Sequence, residues 1–181
     1  MNHISSSKGI PVDSVRVETA LTPTPNWAIQ ASYGEIKQPE STHPGEDEHR
    51  FTASAHYADG KGLSAMLALS AKKRVPGDTL TAWLAEANWN IGGKDGRNTL
   101  FGRIENVAND EHFPDHASPL HDQVFRITKF QLGYARRIPM GPFGLALGGS
   151  IAAYAKPAAL DAACGRHLVG YTLFARITLG H

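Results

Sequence analysis

Apolar and polar residues alternate with period two along most of this 181-residue chain. That is the spacing of a β-strand with one wet face, and it differs from the 3.6-residue spacing of an amphipathic helix. The alternation is cleanest near the end, where Tyr171, Leu173, Ala175, Ile177 and Leu179 share one face and Thr172, Phe174, Arg176 and Thr178 share the other. Trp27, Ile29, Ala31 and Tyr33 alternate in the same way with Ala28, Gln30, Ser32 and Gly34, and Phe51, Ala53, Ala55 and Tyr57 with Arg50, Thr52, Ser54 and His56. The same reading predicts further strands over residues 14–22, 62–72, 79–91, 98–108, 123–138 and 143–155, about nine in all. Leu80, Trp83, Leu84 and Ala87 also fit a helical stripe, and Ala65 to Ala71 is rich in helix formers. The breakers Asp59-Gly60 and Gly92-Gly93-Lys94-Asp95-Gly96 on either side favour hairpins there.

Connection lengths alternate as well. Pro23 to Asn26, Asp59 to Lys61, Gly92 to Arg97 and Pro139 to Pro142 are short, whereas Lys37 to Glu48, Lys73 to Asp78, Asn109 to Asp122 and Lys156 to His167 are longer. Tight turns on one rim and longer loops on the other are a habit of transmembrane barrels. The expected fold is therefore all-β, an antiparallel up-and-down transmembrane β-barrel, with residues 1–13 a disordered or partial N-terminal segment and 14–181 the barrel domain. The last strand runs from a long loop toward the short-turn side, which puts the C-terminus in the periplasm. Nine strands that begin on one side and end on the other leave an upward strand wanting if the barrel is to close on an even number. The start, MNHISSSKGIPVDS, has no apolar core of a secretory signal, so an N-terminal truncation is expected.

Alternation by itself does not say whether the apolar face meets a core or lipid. Three features point to lipid. Strands of ten or more residues match a tilted crossing of a bilayer, longer than the five or six typical of soluble sheets. Aromatics cluster near strand ends, with Trp27, Tyr57 and Trp89 beside short turns and Tyr33 and Trp83 toward the other rim. The polar face carries mid-strand charges and amides: Arg16, Glu18, Gln30, Arg50, His56, Glu86, Asn88, Arg103, Glu105, Lys129, Gln131 and Arg176. Each charge on a lipid face would cost about 2 to 4 kcal/mol at the midplane, so these twelve are expected to line a lumen.

With this layout, residues 14 to 181 resemble outer-membrane β-barrels of the porin superfamily. The run Thr22-Pro23-Thr24-Pro25-Asn26-Trp27 ahead of alternating Ile29, Ala31 and Tyr33, and the strand Leu100-Phe101-Gly102-Arg103-Ile104-Glu105, look like a group of bacterial barrel proteins. The resemblance implies an outer-membrane location and lipid as a partner but no particular activity. Porin-like barrels often trimerise, so a homo-oligomer is among the expectations.

Composition narrows the alternatives. Eighteen Lys and Arg against seventeen Asp and Glu leave no basic excess for phosphate contacts, which argues against a nucleic-acid partner. Cys164, the single cysteine, has no second thiol for a disulfide. No stretch reaches the roughly 18 apolar residues of a membrane helix; Gly141 to Ala155 comes nearest and is broken by glycines. GxSxG, P-loop and GxGxxG patterns are absent, and Ser118 lies near His116 and His121 only in sequence, so no enzyme and no cofactor are expected. The loop from Asp110 to Asp122 offers His112, His116 and His121 with four carboxylates. His43, Glu46, Asp47, Glu48 and His49 lie in a loop on the same rim, and the two together could gather a divalent cation. Three functional readings follow: a passive porin-like channel for small polar solutes, a non-conducting barrel whose long loops bind a ligand or metal, and a soluble β-barrel with an interior ligand site.

Overall fold

The structure is a computed structural model that describes residues 14–37, 45, 47–110, 113, 118–121, 123–140 and 143–179. Nine strands follow one another: β1 (Ser14–Thr24), β2 (Trp27–Ile36), β3 (Asp47–Ala58), β4 (Leu63–Val75), β5 (Thr79–Ile91), β6 (Asn98–Asn109), β7 (Phe125–Met140), β8 (Phe143–Ala155) and β9 (Leu168–Leu179). They form one antiparallel sheet in which each strand lies beside its neighbours in sequence. Among the described residues β1 and β9 are its two edges and do not pair with each other. The all-β, up-and-down architecture expected from the alternation is what the chain adopts.

Strand limits follow the pattern closely. β5 and β8 begin and end where the alternation placed them, while β3 and β9 start three residues earlier than expected, at Asp47 and Leu168. The helix formers of β4 and the helical stripe in β5 do not prevail, because each strand is hydrogen-bonded between two neighbours and packing outweighs intrinsic propensity. One element was not foreseen. Within the loop after β8, Ala158–Leu160 makes a 3-10 turn and Asp161–Cys164 a four-residue helix α1, tied down by Lys156 Nζ at 2.6 Å from Asp161 Oδ1. Its Cys164 thiol is exposed and free.

The chain divides into two compact units. The first comprises Met1–His56, Leu67–Trp83 and Val107–Arg126. In it, β1 pairs with β2 from Ser14 opposite Ile36 to Leu21 opposite Ile29, which puts Arg16, Glu18 and Ala20 on the same side as Gly34, Ser32 and Gln30. The other side carries Val15, Val17, Leu21, Ile29 and Tyr33, all exposed. Tyr33 stacks on His49, with ring centroids 6.0 Å apart and its hydroxyl 2.6 Å from Nδ1.

The second unit comprises Tyr57–Met66, Leu84–Asn106 and Ile127–His181. Here β8 is paired on both sides, so that Arg137, Ala146 and Arg176 fall in one row across β7, β8 and β9, and Ala135, Gly148 and Phe174 in the next. The turn into β4 is built on Asp59, whose Oδ1 accepts from the backbone N–H groups of Lys61, Gly62 and Leu63 at 2.7–2.9 Å. Those three donors hold the Asp59 carboxyl below the usual range. Gly62 has φ 136°, and a Cβ there would lie 2.9 Å from the Asn90 carbonyl oxygen, so the turn admits only glycine.

Little apolar surface is enclosed. Among the described residues the buried hydrophobic side chains are Leu80, Ala108, Phe125, Ala152 and Leu160, whereas Leu173 is 91% and Tyr171 78% exposed. The most deeply buried side chain of any size is a charged one, Glu48.

Candidate functional site: the polar face of the strands

Within the first unit, even-numbered residues of β3 and β4 place four charged groups together, and Asp110, just past β6, joins them as a fifth. Glu48 Oε2 takes a charge-assisted hydrogen bond from Arg50, 2.7 Å from Nε, while Lys72 Nζ lies 3.4 Å and Arg74 Nε 3.9 Å from Glu48 Oε1. Arg74 also grips Asp110 through both terminal nitrogens, Nη1 to Oδ2 and Nη2 to Oδ1, the latter at 3.2 Å. Glu48, Arg74 and Asp110 are all buried. Desolvated charges persist only when paired this closely.

Asp110 reaches the cluster because β6 changes phase. Arg103 and Glu105 lie on the polar side, and strict alternation would add Val107; instead Val107 is exposed while Ala108 and Asp110 are buried. The offset at Asn106 and Val107 turns Asp110 to the same side as Arg74. Beside the cluster, Arg16, Glu18, Ser32, Gly34, Arg50 and Thr52 line a groove of about 800 Å³. Arg16 Nη2 is 2.9 Å from Glu18 Oε2, and Ser32 Oγ is 2.6 Å from Thr52 Oγ1. Every arginine of this groove thus has a carboxylate partner.

The second unit carries a neutral network of its own. Arg103 Nη2 is 2.6 Å from Glu105 and Nη1 3.6 Å from Glu86, and Lys129 Nζ is 3.6 Å from the other Glu105 oxygen. Toward the short turns lies a second groove, of about 780 Å³, lined by Asn88, Asn90, Thr99, Phe101, Ala135, Arg137, Ala146, Phe174, Arg176 and Thr178. It holds no carboxylate, and neither Arg137 nor Arg176 has an ion-pair partner among the described residues. Phe101 and Phe174 meet over it, centroids 6.0 Å apart. They can do so because Gly133 and Gly148 lie beneath: a Cβ on Gly133 would overlap the Phe101 ring, and one on Gly148 the Phe174 ring. Two aromatics from strands three apart, about 14 Å in a flat sheet, thereby lean together across the glycines.

The residues expected to line a lumen fall into these groups. Arg16, Glu18 and Arg50 line the first groove, Gln30 stands opposite Ala20 in the β1–β2 register, and His56 Nε2 is 3.0 Å from Ser54 Oγ. Glu86, Arg103, Glu105 and Lys129 form the second network, Asn88 and Arg176 line the second groove, and Gln131 Nε2 donates to Ser150 Oγ at 2.8 Å. Sequence reasoning missed Lys72, Arg74 and Arg137 as polar-face residues. The signal was present for all three, since Lys72 and Arg74 are in phase with each other and Arg137 with Lys129 and Gln131.

Of the metal candidates, His112 and His116 lie outside the described residues, as do His43 and Glu46. His121 has its Nδ1 2.9 Å from the Phe113 carbonyl oxygen, an arrangement in which Nδ1–H donates. Among the described residues no group of three or more His, Cys, Asp or Glu side chains is placed to hold a metal ion.

The chain matches no family model, no curated protein and no solved structure.

Proposed function

We propose that the nine strands are part of the wall of a Gram-negative outer-membrane β-barrel whose polar face lines a passive, porin-like pore for small polar solutes. The supporting observation is the distribution of exposure. Large apolar side chains on one side of the strands, from Val15 to Leu179, stand open to the surroundings, while the opposite side carries paired charges and amides. Exposed apolar surface on this scale calls for lipid or a partner. Strands of 10 to 16 residues suit a tilted bilayer crossing. The same exposure counts against a soluble barrel, which would turn that face inward.

One observation favours a second reading, a barrel that does not conduct. The Glu48, Arg74 and Asp110 side chains fill space with buried, mutually bonded groups, as in small barrels packed with side chains. Reconstitution separates the two. The full chain, folded from urea into detergent micelles, should show β-sheet circular dichroism and a heat-sensitive gel shift that plain buffer does not give. In a planar bilayer the pore reading expects steady current steps; a folded, inserted protein without current favours the plugged barrel. Folding as a monomer in detergent-free buffer would overturn both.

A further inference from the structure

We propose that the second groove is a binding subsite for small organic anions, gripping a carboxylate with Arg137 and Arg176 and packing the solute's flat apolar body on Phe101 and Phe174. The inference rests on the pore reading for its setting and names the solute class that such a pore would favour.

The register fixes the geometry. Arg137 and Arg176 flank Ala146 in one row of β7, β8 and β9. Their backbones are two strand spacings apart, about 10 Å. The residue between them ends at Cβ, so nothing rises between the two guanidinium groups, and both can converge on one anion. Elsewhere on the polar sides the cations face carboxylates: Arg16 has Glu18, Arg50 has Glu48, Arg74 has Asp110, and Arg103 and Lys129 share Glu105. Two arginines with no acid partner among the described residues, in a groove whose described lining contains none, make a positive site, and guanidinium forks suit planar carboxylates.

Phe174 occupies the next row, and Phe101 reaches it over Gly133. Phe174 is two residues from Arg176 on the same side of β9, about 7 Å along the strand, and leans over Gly148 toward Phe101. Phenyl rings on the polar side of a strand, accommodated by two glycines, give the groove an apolar wall beside its cations. A solute with a charged end and a flat body meets both.

Equilibrium dialysis of the detergent-folded full chain against benzoate tests the site, with empty micelles as blank and with acetate and benzyl alcohol as probes that each lack one half of the recognition. Saturable benzoate binding is expected, weaker for both comparators, and reduced about tenfold or more in Arg137→Ala/Arg176→Ala, as loss of charge-assisted hydrogen bonds requires. Arg137→Lys/Arg176→Lys should retain part of it, which also guards against a folding artefact. Absence of saturable binding, or equal binding by the double alanine variant, would overturn the proposal. A reversal potential across a KCl gradient examines the pore separately. Arginine-dependent benzoate binding without current upholds the site while the pore reading fails; current without benzoate binding does the reverse.

Discussion

Two grooves of nearly equal volume, about 800 and 780 Å³, are lined by the polar side of the same kind of strand, yet their charges are arranged in opposite ways. In the first unit Arg16, Arg50 and Arg74 each have a carboxylate, and Glu48, Arg74 and Asp110 are buried. In the second unit Arg137 and Arg176 stand exposed with no acidic partner among the described residues, next to an aromatic pair. The difference separates two uses of charge. A buried ion pair contributes little net stability when intact but is costly to break, because the survivor stays desolvated. An exposed, unpaired arginine has little to lose on removal, so its presence is better explained by what it can bind.

That contrast is open to direct attack. Asp110→Ala should produce the largest effect, since it strands Arg74. With Glu48 still 3.9 Å from Arg74 Nε, the loss should fall at the low end of the range for broken buried pairs, about 3 kcal/mol, read from the urea midpoint in detergent. A loss below about 1 kcal/mol would mean that water reaches Arg74 and that the two grooves do not differ in kind.

Packing beneath the aromatics comes next. Gly133→Ala drives a methyl group into the Phe101 ring and should cost about 1–3 kcal/mol, the usual penalty of overpacking. Adding Phe101→Ala should restore part of that stability. If the double variant is simply the sum of two losses, the glycine is not there to seat the ring.

A smaller, pH-dependent effect belongs to Asp59. Its carboxyl is held below its ordinary value of 3.8 by backbone donors, so the stabilisation it supplies is present above that value and lost as pH falls through the folded-state pKa. Asp59→Ala should therefore lower the urea midpoint at pH 7 and leave it nearly unchanged near pH 2; an equal drop at both would assign the effect to the turn's shape alone.

Smallest of all, Arg137→Ala and Arg176→Ala should each shift stability by less than about 0.5 kcal/mol, within the range of ordinary exposed substitutions. Measured beside Asp110→Ala, they complete the comparison. A loss of several kcal/mol at either would reveal an ionic partner and remove the reason to regard the groove as a binding site.

Much of this architecture was legible in the chain because strand periodicity is local: one residue flips the face, so Tyr171 to Leu179 declares its two sides without reference to any other strand. Short turns carrying Asp59-Gly60 or Gly92-Gly93 then leave antiparallel neighbours as the only economical arrangement, and the sequential strand order follows. Sidedness of the charges came with it, and would have included Arg74 had the strand over 62–72 been extended to Val75; Arg137 already lay inside its expected strand, in phase with Lys129 and Gln131.

Which charges meet was not legible. Arg74 and Asp110 are 36 residues apart, and Asp110 comes within reach only because β6 slips its alternation at Asn106 and Val107, a change that no residue type announces. Phe101 and Phe174 each look like an apolar intruder on a polar side. Only the register, with Gly133 and Gly148 beneath them, makes the two rings one wall. The sequence by itself determined the strands, their order and their two faces, since these depend on neighbours one or two residues away. The tertiary structure alone decided the pairing of charges and the shape of the grooves, because those depend on distances between side chains that the chain brings together only when its strands align.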